Sequence, residues 1–128
     1  MENILIERHF EDDFEPSVDF NATTGTCVLA GESYLDYSTE FYEPLINWFK
    51  QYFEEVKGPI NLDIRLTYFN TSSSKHIYML LTLLKEYENS GGKVNVNWHF
   101  ESKDEELVYE VDDLKIASGL NISYFFDL

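Results

Sequence analysis

The sequence predicts an α/β domain: an N-terminal β-hairpin followed by a βαβαβαβ run, with a mostly parallel central sheet and helices mainly on one face. Three observations carry this. Two stretches, Ile60–Phe69 and Val94–Phe100, alternate apolar and polar side chains, the period of a half-buried strand. Segments with apolar residues at helical spacing alternate with the strands, and right-handed crossovers between successive strands then make the last four mostly parallel. Finally, strands of a sheet covered by helices on both faces read as near-continuous apolar runs; alternation argues for one covered face.

Taken in order, Ile4–Ile6 reads as a short strand, and Glu11-Asp12-Asp13-Phe14-Glu15-Pro16 as an acidic connector closed by a proline. Val18-Asp19-Phe20 and Thr26-Cys27-Val28-Leu29-Ala30 flank Asn21-Ala22-Thr23-Thr24-Gly25, a loop rich in turn formers, and so form the hairpin. Gly31-Glu32-Ser33-Tyr34-Leu35-Asp36 leads out of it. The first helix is expected over 38–56, with Phe41, Leu45, Trp48, Phe49, Tyr52, Phe53 and Val56 as its apolar stripe. Ser38 or Thr39 can cap it. Pro44 removes a backbone bond unless it sits in the first turn, so a loose opening turn is expected, with regular helix from about Pro44. Gly58-Pro59 ends it.

In the strand Ile60–Phe69, Ile60, Leu62, Ile64, Leu66 and Tyr68 share one face, and Asn61, Asp63, Arg65 and Thr67 the other. The second helix carries Ile77, Leu80, Leu81 and Leu84 inward and ends near Gly91-Gly92. In Val94–Phe100, Val94, Val96, Trp98 and Phe100 oppose Asn95, Asn97 and His99. A third helix over 103–118 turns Leu107, Val108, Val111 and Leu114 inward and closes at Gly119, and 120–126 supplies the last strand. No repeat or linker interrupts the chain, so 1–128 reads as a single domain.

Composition narrows the function. With 44% hydrophobic and 16% aromatic residues the chain can bury a core. Its 24 acidic against 9 basic residues give a net charge of −15, a field that repels phosphate backbones and disfavours nucleic acid and anionic membranes; it serves solubility first and leaves a basic protein partner open. Cys27, the only cysteine, allows no internal disulfide. The acidic N-terminus lacks the basic flank of a signal peptide, and no stretch approaches a membrane span. A cytoplasmic protein without membrane insertion is expected.

Enzyme chemistry lacks its parts. There is no Gly-x-Ser-x-Gly elbow, and His9, His76 and His99 are scattered without metal-binding spacing. His76 lies more than one helical turn from Thr71, a poor placing for a general base. Glu11-Asp12-Asp13, Asp104-Glu105-Glu106 and Asp112-Asp113 lack the spacing of a calcium loop and read as solvated charge. No phosphate-binding glycine loop exists. Neither an enzyme nor a cofactor is expected.

What stands out is Tyr68-Phe69-Asn70-Thr71-Ser72-Ser73-Ser74-Lys75, where four consecutive hydroxyl residues sit at a strand-to-helix turn. Such a turn offers free backbone N–H groups and the positive end of a helix dipole. Thr71 could be a helix cap, yet one cap explains one hydroxyl, and a modified or contact site stays equally open.

This run resembles the Tyr-(Leu/Phe)-Asn-Thr-Ser-Ser segment of the SiaC-type regulatory phosphoproteins. Gly31-Glu32-Ser33-Tyr34, Tyr42-Glu43-Pro44 with Trp48, Val94-Asn95-Val96-Asn97-Trp98-His99-Phe100 and Asp104-Glu105-Glu106 agree in order, so the resemblance spans roughly residues 19–126. It implies a STAS-like fold, similar to anti-sigma-factor antagonists, and control by reversible phosphorylation. It implies Thr71 as the phosphoacceptor, ahead of Ser72 and Ser73, and a partner surface of Ser33, Tyr34, Asn70, Ser72, Ser73 and Lys75. The implied partners are a kinase of the histidine-kinase-like ATPase type, a PP2C-type phosphatase, and an effector, in that family a diguanylate cyclase, bound by the unphosphorylated form. Tyr34-Leu35-Asp36 departs from the common Tyr-Pro-Glu; if this loop meets the effector, the departure implies a different one. The alternatives are a STAS-like domain binding a small ligand around Asp63, Arg65 and His99, and a constitutive interaction module without phosphorylation.

Overall fold

The computed structural model describes residues 1–7 and 14–127; His9 and the Glu11, Asp12 and Asp13 of the expected connector lie outside them. The described residues form β1 (Ile4–Ile6), β2 (Ser17–Phe20), β3 (Thr26–Ser33), α1 (Ser38–Glu55), β4 (Ile60–Phe69), α2 (Thr71–Asn89), β5 (Val94–Phe100), α3 (Glu105–Ser118) and β6 (Ile122–Phe126). The six strands make one sheet in the order β1-β2-β3-β4-β5-β6. β1, β2 and β3 are antiparallel neighbours, and β3 to β6 are parallel. Because the strand order never reverses, three right-handed crossovers lay all three helices on the same face. α1 packs on α2, and α2 on α3. The expected α/β architecture is the one observed.

Local chemistry explains the elements. The β2–β3 turn is closed by Asn21, whose Oδ1 accepts from the N–H groups of Thr23 and Thr24 at 2.9 and 3.1 Å. Gly25 then takes φ 75°, and a Cβ there would meet the Pro59 carbonyl oxygen at 2.0 Å. Asp104 caps α3 by accepting from the Leu107 N–H at 3.2 Å, and Gly119 ends it with φ 75°. The core between sheet and helices is rich in large rings: Phe20, Tyr42, Phe49, Tyr52, Trp98 and Phe100 are fully buried.

Three expectations need correction. First, α1 is regular from Ser38, with Pro44 inside it and no loose opening turn. Pro44 and Glu40, the residue whose carbonyl loses its partner, are both exposed, so water replaces the missing bond. Second, the buried stripe of α1 includes Tyr42 and Ile46, while Phe41 is half-buried and Val56 is 40% exposed. Third, Tyr68 does not share the core face of β4. The β3–β4 register shifts so that Gly31 pairs with Leu66 but Glu32 with Tyr68, which leaves Thr67 as an extra residue. The bulge inverts the alternation. Phe69 becomes the buried residue and Tyr68 is 45% exposed.

Candidate functional site

The bulge sets the approach to α2, and Asn70 fixes its first turn. The Asn70 Oδ1 accepts from the Ser73 N–H at 2.9 Å, and its carbonyl accepts from the Ser74 N–H at 2.8 Å. The Asn70 N–H donates to the Ser33 carbonyl at 3.0 Å, and its Nδ2 to the Leu35 carbonyl at 3.1 Å. Asn70, not Thr71, is therefore the cap, and it ties α2 to the loop after β3. Thr71 is the first helical residue, exposed, and its hydroxyl makes no hydrogen bond among the described residues. The N–H groups of Thr71 and Ser72 likewise have no protein acceptor among the described residues, as is usual for a first turn.

Beneath Thr71 lies a buried chain of hydroxyls. The Ser33 Oγ donates to the Ser73 Oγ at 2.7 Å, and the Ser73 Oγ donates to the Ser33 carbonyl at 3.0 Å. With the Ser33 proton so used, the Tyr42 hydroxyl, 2.6 Å from the Ser33 Oγ, must donate to it. Burial holds the Tyr42 phenol well above its ordinary range and keeps that proton in place. Ser33 and Ser73 are both fully buried, so their side chains offer no surface to a partner in this conformation. They support the turn from below.

Ser72 is exposed, but its hydroxyl is hydrogen-bonded to that of Ser38 at the start of α1. His76 completes this clasp. Its Nδ1 lies 3.0 Å from both the Ser38 Oγ and the Ser72 carbonyl, its Nε2 lies 3.1 Å from the Thr39 Oγ1, and its ring stacks on Tyr42. The histidine thus joins the first turns of α1 and α2 and makes no contact with the Thr71 hydroxyl. Sequence spacing gave no sign of this, since Ser38 and Thr39 are more than thirty-five residues away.

Lys75 stands exposed one helical turn beyond Thr71. Together they edge an open groove of about 530 Å3 between α2 and α3, flanked by Tyr68 and Tyr78 and faced by Glu110 and Asp113. Burial, and then the charges of Asp104, Glu106 and Asp113, raise the Glu110 carboxyl above its usual value. Tyr34 is half exposed and stacks on Tyr68 with ring centroids 5.8 Å apart. Of the expected surface, Tyr34, Thr71, Ser72 and Lys75 are exposed, Asn70 is half-buried, and Ser33 and Ser73 are covered.

The open sheet face is arranged differently. His99 Nδ1 lies 2.8 Å and Arg65 3.5 Å from the Asp127 carboxylate, and His99 Nε2 lies 3.5 Å from Asp63. Asn97 Nδ2 donates to Asp63 at 2.9 Å, and Asn95 Nδ2 to Asn61 at 2.7 Å. These groups satisfy one another. The sheet also has no reversal of strand order, the place where open α/β sheets form a ligand crevice. Among the described residues no group of three or more His, Cys, Asp or Glu side chains is placed to hold a metal ion, and no helix is long and apolar enough to cross a membrane.

Solved structures share this fold. An uncharacterized protein of Pseudomonas aeruginosa strain UCBPP-PA14 is 29% identical over 100 residues, 78% of this chain and 79% of that protein. The crystal structure of apo-SiaC from Pseudomonas aeruginosa superposes with a TM-score of 0.84 at 25% identity, covering 100% of both chains. A chain in the crystal structure of the diguanylate cyclase SiaD in complex with its activator SiaC, from the same organism, has the same fold, with a TM-score of 0.87 at 24% identity over 96% of this chain and 98% of that one. The model of the SiaC family regulatory phosphoproteins matches residues 10–125. With nearly the whole length matched, this chain belongs to the SiaC family of regulatory phosphoproteins.

Proposed function

We propose that this chain is a non-enzymatic partner switch, binding an effector while Thr71 is unmodified and releasing it when Thr71 is phosphorylated. The observation that carries the reading is the division of labour at the turn: Asn70 caps α2, which leaves the Thr71 hydroxyl exposed and without a hydrogen bond among the described residues. Ser73 is buried, and the Ser72 hydroxyl is engaged with Ser38, so neither is as accessible to a kinase. Phosphate would add about −1.5 to −2 charges at Thr71. The open N–H groups and helix dipole stabilise such a charge by roughly 0.3–2 kcal/mol, so the fold tolerates it. A partner seated over Thr71 and the groove would instead meet new bulk and a charge that is costly to desolvate.

The effector in this reading is a diguanylate cyclase, by analogy with the relative named as activator of SiaD. Phosphate is added by a kinase of the histidine-kinase-like ATPase type and removed by a PP2C-type phosphatase, so the chemistry belongs to the partners. The cytoplasm is where all three would meet. Tandem mass spectrometry of the chain isolated from its own cells tests the acceptor: phosphate on Thr71 is expected, and phosphate confined to Ser72 or Ser74 overturns it. For the switch, Thr71→Asp should bind a cyclase effector at least about tenfold more weakly, about 1.4 kcal/mol, with unchanged folding. Equal binding by Thr71→Asp and phosphorylated wild type to that of the unmodified chain would sink it.

A further inference from the structure

A second concavity, an open basin of about 730 Å3, lies on the other side of Tyr34 from the Thr71 groove. Four rings, the exposed Phe14, Tyr34 and Tyr37 and the half-buried Phe41, and three carboxylates, Glu15, Asp36 and Glu40, line it, and its described lining contains no cation. Phe14, Tyr34 and Tyr37 are 57%, 51% and 76% exposed, a large aromatic surface to leave in water. Two of them are held firmly. The Tyr34 N–H donates to the Phe14 carbonyl at 3.0 Å, and their ring centroids lie 5.9 Å apart. Leu35 is buried, and its carbonyl receives the Asn70 amide, which anchors the loop between Tyr34 and Tyr37.

Carboxylates at a helix start have an ordinary use, since they offset the dipole. Asp36 and Glu40 fit that use by position at the head of α1. Glu15 does not, because it comes from the segment before β2. The dipole also gives no reason for exposed rings. Aromatic faces present negative quadrupole charge, so rings and carboxylates arranged together attract a cation. A guanidinium suits them better than an ammonium, because it is flat enough to stack on a ring while its N–H fork engages carboxylates.

We propose that this basin receives an arginine side chain of a protein partner. The net charge of −15 would draw a basic partner toward this surface. The proposal rests on the reading of the chain as a partner-binding protein but not on phosphorylation of Thr71.

Titrating the isotope-labelled chain with N-acetyl-arginine amide, read by backbone amide shifts, tests it. Saturable shifts are expected at residues 14–15 and 34–41, tighter by roughly threefold than with the lysine amide and absent with the neutral citrulline amide. Tyr37→Ala removes a ring that supports no core and should weaken the response by roughly threefold while the rest of the spectrum stays in place. Glu40→Gln should weaken it as well. The acidic start of α3, where carboxylates stand outside a ring-lined basin, should shift weakly and without saturation. Equal responses to arginine and lysine, shifts as large on α3, or no effect of Tyr37→Ala would each overturn the assignment. Because only the chain and the amide are present, a failed switch at Thr71 leaves this result unchanged, and Thr71→Asp should bind the arginine amide normally.

Discussion

Thr71 owes its free hydroxyl to Asn70. A cap residue accepts from the N–H two or three positions on, and Asn70 does so through Ser73. Replacing Asn70 with Ala should therefore cost about 1 kcal/mol for the cap, with a further loss from the severed tie to the Leu35 carbonyl. Thr71→Ala, at an exposed side chain with no hydrogen bond among the described residues, should stay within about 0.5 kcal/mol of wild type. Urea unfolding of the two variants separates the roles, and a larger cost for Thr71→Ala than for Asn70→Ala would return the cap to Thr71. The sequence marked these residues as a hydroxyl-rich helix start but could not divide the work among them. The partners that decide it, Ser33 for Ser73 and Ser38 for Ser72, come from 40 and 34 residues away. Tyr42 was missed for a related reason: next to Phe41 either ring could face inward by helical spacing, and only the hydrogen bond to Ser33 distinguishes them.

At the scale of elements, periodicity carried far where one face is buried and failed where geometry changes within a strand. The alternation of β4 holds from Ile60 to Leu66, then inverts at the bulge. Tyr68 and Phe69 are both aromatic, so hydrophobicity cannot report which one turns inward. That inversion serves the site, since it places Tyr68 beside Tyr34 on the surface. In α1 the proline rule overreached, because the missing bond falls on the wet side of the helix. Proline inside a helix is still about 3 kcal/mol less favourable than alanine, less the ~0.4–1 kcal/mol by which it restrains the unfolded chain. Pro44→Ala should accordingly stabilise the protein by about 1–3 kcal/mol without changing its helix content, measured by denaturant unfolding followed by circular dichroism. A loss of stability would mean that the ring makes packing contacts worth more than the backbone bond it removes.

Over the whole molecule, a sequential strand order gathers the helices on one side and builds a core of buried rings, with the Thr71 turn and the aromatic basin both adjoining the end of β3. The hairpin, the parallel run and the one-sided helices were legible because hairpins and crossovers between consecutive elements leave few alternatives. The same burial makes alkaline stability a test of the packing. Burial pushes the Cys27 thiol and the Tyr42 phenol well above their ordinary ranges, so the native state keeps both protons. In the unfolded chain they leave near pH ~8.5 and ~10. Each group's contribution is full below its unfolded value and is lost as pH rises above it, because the native state then binds more protons than the unfolded one. Stability should fall by up to about 1.4 kcal/mol per pH unit for the thiol alone, and more steeply once the phenol joins. Urea midpoints between pH 7 and roughly 11 should decline in these two stages. Cys27→Ala should flatten the first stage, and Tyr42→Phe should lessen the second, which the raised phenols of Tyr52, Tyr87 and Tyr124 share; each is judged by slope because both changes also lower the starting stability. A midpoint in wild type that stays level through this range would mean that neither group is held as the structure holds it, and with Tyr42 free to ionise the hydroxyl chain beneath Thr71 would lose its terminal donor.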